Sequence, residues 1–527
     1  MQTVHNHRMA AESALLAPVV VGIAPTTLDD VVRVARDNAP VMIGDDALIA
    51  MAASRTRIEA LADDPVPVYG ISTGFGALAT RHIPLELRTK LQRSLIRSHA
   101  AGSGAEVERE VIRAMMLLRL STLTTGHTGI RPEVAQAYAG LLSAGLTPVV
   151  YEYGSLGCSG DLAPLAHVAL AVMGEGHVRT TDGALVPATE ALTAHGIEPI
   201  VFAEKEGLAL INGTDGMLGQ LVLALTDLDR LLVLADVSAA MSVEGLLGSD
   251  KVFAPHLQAL RPQPGQAVAA ANMTRILAGS PIVASHSGPD CPLVQDAYSL
   301  RCAPQVAGAA RDTVAHARNV ANWELASIID NPVVTDDGQV ESNGNFHGAP
   351  VAYVLDFLAI VVADLASISE RRTDRFLDAS RSHGLKAFLA DDPGVDSGHM
   401  IAQYTQAAIV SELKRLASPA SVDSIPSSAM QEDHVSMGWS AARKLRRAID
   451  GLTRVLAIEV LTAARGIDMR APLLPAPATG AVVAAVRARV AGPGADRHLA
   501  PEIAAVVDLA HNGSLVAAAE SVTGPLA

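Results

Sequence analysis

The chain has 527 residues, with 40 Lys and Arg against 55 Asp and Glu, a formal charge of −15. That acidic balance argues against a nucleic-acid binder, which carries a basic footprint, and a composition 49% hydrophobic and 18% charged excludes global disorder. Cys158, Cys291 and Cys302 are too few and too scattered for a disulfide framework and form no C-x-x-C pair for zinc. A reduced, cytoplasmic setting without a structural metal is expected.

In chain order, the apolar run Ala14–Ala24 resembles a signal segment, but Pro18 interrupts it and Glu12 abuts it, so a short buried strand is expected. Thr27 opens a helix, its side-chain oxygen placed to accept an early amide and Asp29 and Asp30 placed at the positive helix end. Residues 1 to about 215 are richer in Gly, Pro and short extended pieces. Beyond them, Leu221, Leu225, Leu228 and Leu232 recur at helical spacing, and Pro304 opens a helix expected to run to Asp330 before Asn331-Pro332. Val351, Leu355, Leu358, Val362, Leu365 and Ile368 form another stripe, in which Asp356 and Asp364 argue against a membrane span. Residues 380–435, rich in Ser, Pro and Asp, read as long loops. Leu445, Ile449, Leu452 and Leu456 follow, with Gly466 as the expected stop. The ordinary meaning of such stripes is core packing, and together they predict a bundle of long helices. The expected division is 1–215, an N-terminal domain, and 216–527, a central helical bundle with a C-terminal helical region.

No G-x-x-x-x-G-K, H-E-x-x-H or G-x-S-x-G motif is present. The informative stretch is Gly154-Ser155-Leu156-Gly157-Cys158-Ser159-Gly160-Asp161, leading into Leu162-Ala163-Pro164-Leu165. Its plain reading is a glycine-rich loop entering a helix that Asp161 caps. Its chemical reading is self-modification. In a sharp bend the Gly160 nitrogen attacks the Cys158 carbonyl carbon, an approach that needs a residue without Cβ. Loss of two waters, one from the Ser159 side chain, leaves a methylidene-imidazolone, an electrophile no unmodified side chain provides.

With these residues the chain resembles the aromatic amino acid ammonia-lyases, whose usual triad is Ala-Ser-Gly; Cys158 takes the first place here. Five further segments match that family in order. In Val68–Gly76 the resemblance makes Tyr69 a catalytic base, with Ser72 where Asn is common. In Lys205–Thr214 it places Asn212 beside the electrophile, with Asp215 replacing the usual Gln. Gln295–Cys302 supplies the substrate-binding Gln295, the catalytic Tyr298 and Arg301, which holds the substrate carboxylate. Ser342–Gly348 supplies Phe346 to the pocket. Ser421–Pro426 continues to Gln431–Met437, with Met430 departing from the usual Asn.

Two positions bear on the substrate. Ser98-His99 matches the histidine-specific branch, where phenylalanine-specific members have Phe-Leu, and Glu432 stands where those members carry an amide. A carboxylate suits an imidazole N–H and offers little to a phenyl ring. The resemblance therefore implies deamination of L-histidine to trans-urocanate and ammonia, with Cys158, Ser159 and Gly160 forming the methylidene-imidazolone and no nucleotide. His99 and Glu432 flank the imidazole; amine and ring attack on the electrophile stay open. It also implies a mainly α, fumarase-aspartase-like fold, with the electrophile loop in the N-terminal mixed region. The expected assembly is a homotetramer whose active sites combine residues from three chains, without nucleic-acid or membrane partners. The rivals are a tyrosine ammonia-lyase or aminomutase on the same scaffold, a fumarase-like lyase without a self-made cofactor, and a non-catalytic helical scaffold.

Overall fold

The first helix forms as its sequence dictates. Thr27 accepts the Asp30 amide while the Asp30 carboxylate reaches back to the Thr27 amide, a reciprocal cap for Leu28–Ala35. In this computed structural model, which describes residues 16–62, 67–288 and 294–527, the fold is mainly helical with small sheets. Cys291 and the first residues of the apolar N-terminal run lie outside that range; the remainder of the run holds the expected strand, Val19–Val21. Val19 and Val21 point inward, and the strand pairs in parallel with Val41–Ile43. Most of the other short strands also fall before residue 215, including Ser103–Glu106 against Tyr151–Tyr153 and His177–Arg179 against Leu185–Pro187.

Chain contacts define two compact units. The first comprises residues up to Leu223 with Arg318–Leu355 and Ala420–Arg443; the second comprises Ala224–Ala317, Asp356–Pro419 and Lys444–Ala527. A single cut at 215/216 therefore does not describe the chain, because two later segments return to the first unit.

The long helices are Asp215–Gly245, Ala303–Leu325, Ala349–Leu377 and Gly438–Asp468. The stripes Leu221/Leu225/Leu228/Leu232 and Leu445/Ile449/Leu452/Leu456 are buried, as core packing requires. Ala349–Leu377 is long and apolar enough to cross a membrane. Its stripe from Val351 to Leu365 is nevertheless buried in protein, and Asp356 pairs with Lys444 at 2.5 Å.

Three expectations need correction. Gly466 does not stop its helix, which continues to Asp468; a Cβ there would lie 2.5 Å from the Phe376 ring, so the glycine admits a close neighbour. The helix from Ala303 ends at Leu325, short of Asp330. Asp330 lies beyond the helix and pairs with the buried Lys205. Within the expected loop region 380–435 stands a 17-residue helix, Met400–Leu416, whose Ala402, Gln406, Val410 and Leu413 make a buried face.

Candidate active site

Gly157 and Gly160 bridge to each other, closing a tight turn over Cys158 and Ser159. Ser159 is held at φ +51°, a left-handed conformation costly for a serine, and Gly160 at φ +81°. A second, isolated bridge lays the turn beside the Asn212-Gly213 segment: the Gly213 amide donates to the Ser159 carbonyl at 3.1 Å, and the Asp161 amide to the Gly213 carbonyl at 2.7 Å. A Cβ on Gly160 would sit 1.9 Å from the Gly213 oxygen, so only glycine fits. A compressed turn with a Cβ-free third residue fits the internal ring its sequence suggests.

Asp161 occupies the N-cap position of Leu162–Val172 but does not cap it. Its buried carboxylate accepts instead from the Met217 amide at 2.8 Å, in the first turn of Asp215–Gly245, and from the Ser155 hydroxyl at 2.8 Å. That carboxylate therefore ties the turn to a long helix. Burial pushes its pKa up to about 7, against these hydrogen bonds.

The turn opens on a cavity of about 750 Å³ whose wall includes Tyr69, Phe75, His99, Ser159, Asn212 and Glu432. Tyr69 sits in a loop closed by the Ser72 hydroxyl, which accepts the Val68 amide at 2.9 Å; this accounts for serine at that position. Phe75 meets the Tyr69 ring edge-on, centroids 6.4 Å apart. The Gly76 amide donates to the Tyr69 oxygen at 3.5 Å. Burial pushes the Tyr69 phenol above its ordinary range, Glu432 and Asp330 add to this, and the Gly76 N–H opposes it.

His99 ends the helix Leu85–His99, and its Nδ1 lies 2.9 Å from the Leu95 carbonyl. With Nδ1 donating there, Nε2 carries a lone pair. Burial lowers its pKa, while the Leu95 bond and the charge on Glu432 work the other way. Glu432 accepts from the Ser427 hydroxyl at 2.9 Å, and the two residues bridge through their backbones. Between them Ser428, Ala429 and Met430 are all left-handed, at φ +50°, +52° and +68°. The Ser428 hydroxyl accepts the Ala77 amide at 3.2 Å, linking this turn to the Tyr69 loop. Met430 itself is exposed.

Asn212 is gripped from two sides. Its Nδ2 donates to the Asn331 carbonyl at 2.9 Å and to Asp330 at 3.3 Å, and its carbonyl accepts from Arg119 at 2.6 Å. Asp215, buried, stands 3.6 Å from Arg119 Nε, so a carboxylate faces a guanidinium where the family more often has an amide. The Cys158 thiol, half-buried and free, is pushed up to about 11, by burial first and then by the charge on Glu432. It therefore stays protonated and weakly nucleophilic.

The structure thus gathers Tyr69, His99, Ser159, Asn212 and Glu432 at one cavity, with Cys158 and Gly160 in the adjoining turn. It does not bring Gln295, Tyr298, Arg301 or Phe346 to that wall. Gln295, Tyr298 and Arg301 belong to the second unit, where Tyr298 is 71% exposed and the Arg301 guanidinium lies 4.6 Å from its ring centroid. Phe346 is half-buried in the first unit, next to His347, which stacks on His434. Sequence reasoning missed Phe75, Ser427, Ser428 and the Lys205–Asp330 pair. A lysine opening the otherwise apolar run Gly207–Ile211 was the available signal for the pair, since a buried ammonium demands a partner.

Comparison with known proteins places the chain among relatives. Residues 26–488 match the family model described as aromatic amino acid lyase. The chain is 66% identical over 510 residues to a histidine ammonia-lyase of Streptomyces avermitilis, covering 97% of this chain and 99% of that one. It is 49% identical to one of Sorangium cellulosum, covering 95% and 99%. Among solved structures it is similar to a tyrosine aminomutase of Streptomyces globisporus (TM-score 0.91, 37% identity, 97% and 100% covered). It is similar as well to a histidine ammonia-lyase of Trypanosoma cruzi (TM-score 0.88, 38% identity, 96% of both chains covered). The chain belongs to the aromatic amino acid lyase family.

Proposed function

We infer that the protein is a histidine ammonia-lyase, a carbon–nitrogen lyase that converts L-histidine to trans-urocanate and ammonia. The observation that carries this reading is the presence of His99 and Glu432 in the same cavity as Tyr69 and Ser159. A carboxylate accepts from the N–H of a substrate imidazole, a donor that a phenyl ring lacks.

The methylidene-imidazolone formed from Cys158, Ser159 and Gly160 supplies the electrophile when present; the strained turn and the Cβ-free Gly160 support it. Tyr69 takes the β-proton at its phenolate oxygen. Because its surroundings raise the phenol, ionisation draws on the Gly76 N–H and on positive charge arriving with the substrate ammonium. Asn212 orients the groups at the turn. Gln295, Tyr298 and Arg301, with the Arg301 guanidinium on the substrate carboxylate, enter from neighbouring copies in a homotetramer, and Phe346 completes the pocket. The exposure of Tyr298 supports this, as does the apolar stripe Tyr353, Phe357 and Ile360 left outward on Ala349–Leu377. A cytoplasmic enzyme is the setting that fits the free Cys158 and Cys302.

The likeness to the tyrosine aminomutase keeps one alternative in play, tyrosine deamination or a 2,3-amino shift. Turnover of L-histidine, L-tyrosine and L-phenylalanine should be compared with the purified protein, with products separated to reveal any β-amino acid. Urocanate from histidine, at least about tenfold faster than the product from either other substrate, is expected on the difference in ring hydrogen bonding. Tyrosine turnover without urocanate would overturn the assignment.

A further inference from the structure

Lys205 is not among the residues lining the cavity, yet it is fully buried, at the start of the short helix Glu206–Ala209 that leads to Asn212. Its backbone is left-handed (φ +67°), and its Nζ lies 2.5 Å from Oδ2 of Asp330, also fully buried. The other oxygen of that carboxylate accepts from Asn212 Nδ2 at 3.3 Å and from the Asn331 amide at 2.8 Å. Asn331 in turn presents its carbonyl to Asn212 Nδ2. The orientation of the Asn212 amide thus depends on the Asp330-Asn331 corner, and that corner is anchored by the Lys205 amine, whose charged form burial opposes and the Asp330 carboxylate favours. Asp330 is also one of two carboxylates whose charge reaches Tyr69.

We propose that Lys205 is a positioning residue for the reaction: through Asp330 it fixes the Asn212 amide at the cavity wall and cancels the field of Asp330 on Tyr69. The proposal rests on Tyr69 being the base. Other charges act on the same groups. Glu432 raises Tyr69, His99 and Arg81 share its cavity, and Arg119 and Asp215 face the Lys205–Asp330 pair. None of these changes in the variants below.

The test uses full-length wild type, Lys205→Met, Asp330→Asn and the double variant. Tyr69 is titrated by the ultraviolet absorbance of its phenolate, taken as the difference from the matching Tyr69→Phe protein, so substrate identity does not enter. Lys205→Met leaves Asp330 uncompensated and moves the Tyr69 midpoint up by about one pH unit. Asp330→Asn leaves the ammonium and moves it down. The double variant returns it to near the wild-type value. The acid limb of the kcat/KM profile follows the same order, and kcat falls about tenfold or more in Lys205→Met, with KM for L-histidine changed less. A purely structural salt bridge would lower thermal stability and leave the midpoint in place. That result, or a shift of the same sign in both single variants, overturns the proposal. Where Lys205→Met does not fold, the nearly isosteric Asp330→Asn decides alone: a midpoint that does not fall contradicts it. Absence of urocanate from wild type would sink the histidine reading but leave the phenolate titration intact.

Discussion

Two buried carboxylates, Glu459 in the second compact unit and Asp215 in the first, are enclosed in opposite ways. In the second, Glu459 is fully enclosed and saturated: Arg372 contacts both its oxygens at 2.5 and 2.9 Å, and the Ser242 and Ser369 hydroxyls each donate at 2.6 Å. In the first, Asp215 and Arg119 are less evenly matched. Among the described residues, neither Asp215 oxygen has a hydrogen bond, nor do Nε and Nη2 of Arg119. A saturated cluster holds helices together; an incompletely satisfied one costs stability and is kept where it orients reacting groups. The Glu459 cluster serves cohesion; the Asp215–Arg119 pair lies next to Asn212, whose carbonyl Arg119 holds.

Substitutions can break this contrast, and the largest effect is expected in the first unit. Ser159→Ala removes the hydroxyl lost in dehydration and should abolish urocanate formation, a loss beyond about 10³-fold, while far-ultraviolet circular dichroism stays that of the wild type. Retained turnover would refute the modification. In the second unit, Glu459→Ala strands the Arg372 guanidinium and should lower unfolding stability by about 3–5 kcal/mol in urea melts. Its kcat per folded molecule should stay near wild type; a selective loss of kcat would erase the distinction. Glu432→Gln should cut kcat/KM for L-histidine by about 10²-fold, with a smaller loss for L-phenylalanine, in parallel steady-state assays. Gly466→Ala forces a methyl against Phe376 and should cost about 1–3 kcal/mol by thermal melting, without loss of activity at permissive temperature.

A further effect, on the pH dependence of stability, concerns Asp161. Its folded pKa of about 7 lies above the ordinary 3.8, so the folded chain keeps a proton that the unfolded chain releases. The resulting stability is complete below about pH 4 and lost as pH rises through about 7. Asp161→Asn lacks this term. The stability of the wild type relative to the variant should fall between about pH 4 and pH 7, measured by urea melts across that range, and a flat difference would contradict the assignment.

Much of the helical frame was legible because its signals are local. Thr27 caps a helix three residues deep, and Leu221 to Leu232 declare a buried face by spacing alone. Of the site, the tripeptide Cys158-Ser159-Gly160 and the paired signals at His99 and Glu432 were readable, and the structure gives His99, Glu432 and Ser159 a common cavity. What escaped is long-range. Asp161 looks like a local cap but spends its carboxylate on Met217, 56 residues away. Lys205 finds Asp330 across 125 residues. Gly466 looks like a terminator because its true reason, the Phe376 ring, lies 90 residues earlier in the chain. Tyr298 and Arg301 are recognisable only through the resemblance; nothing in their own helix, Tyr298–Arg301, ties them to the cavity.

The central claim is that the Gly157–Gly160 turn converts its own backbone into an electrophile. Intact mass spectrometry of the purified protein tests it most directly, with fragmentation to locate any change. A mass two waters below that of the encoded chain is expected, confined to the peptide containing Cys158, Ser159 and Gly160 and absent from Ser159→Ala. An unmodified mass in protein that turns over L-histidine would contradict it.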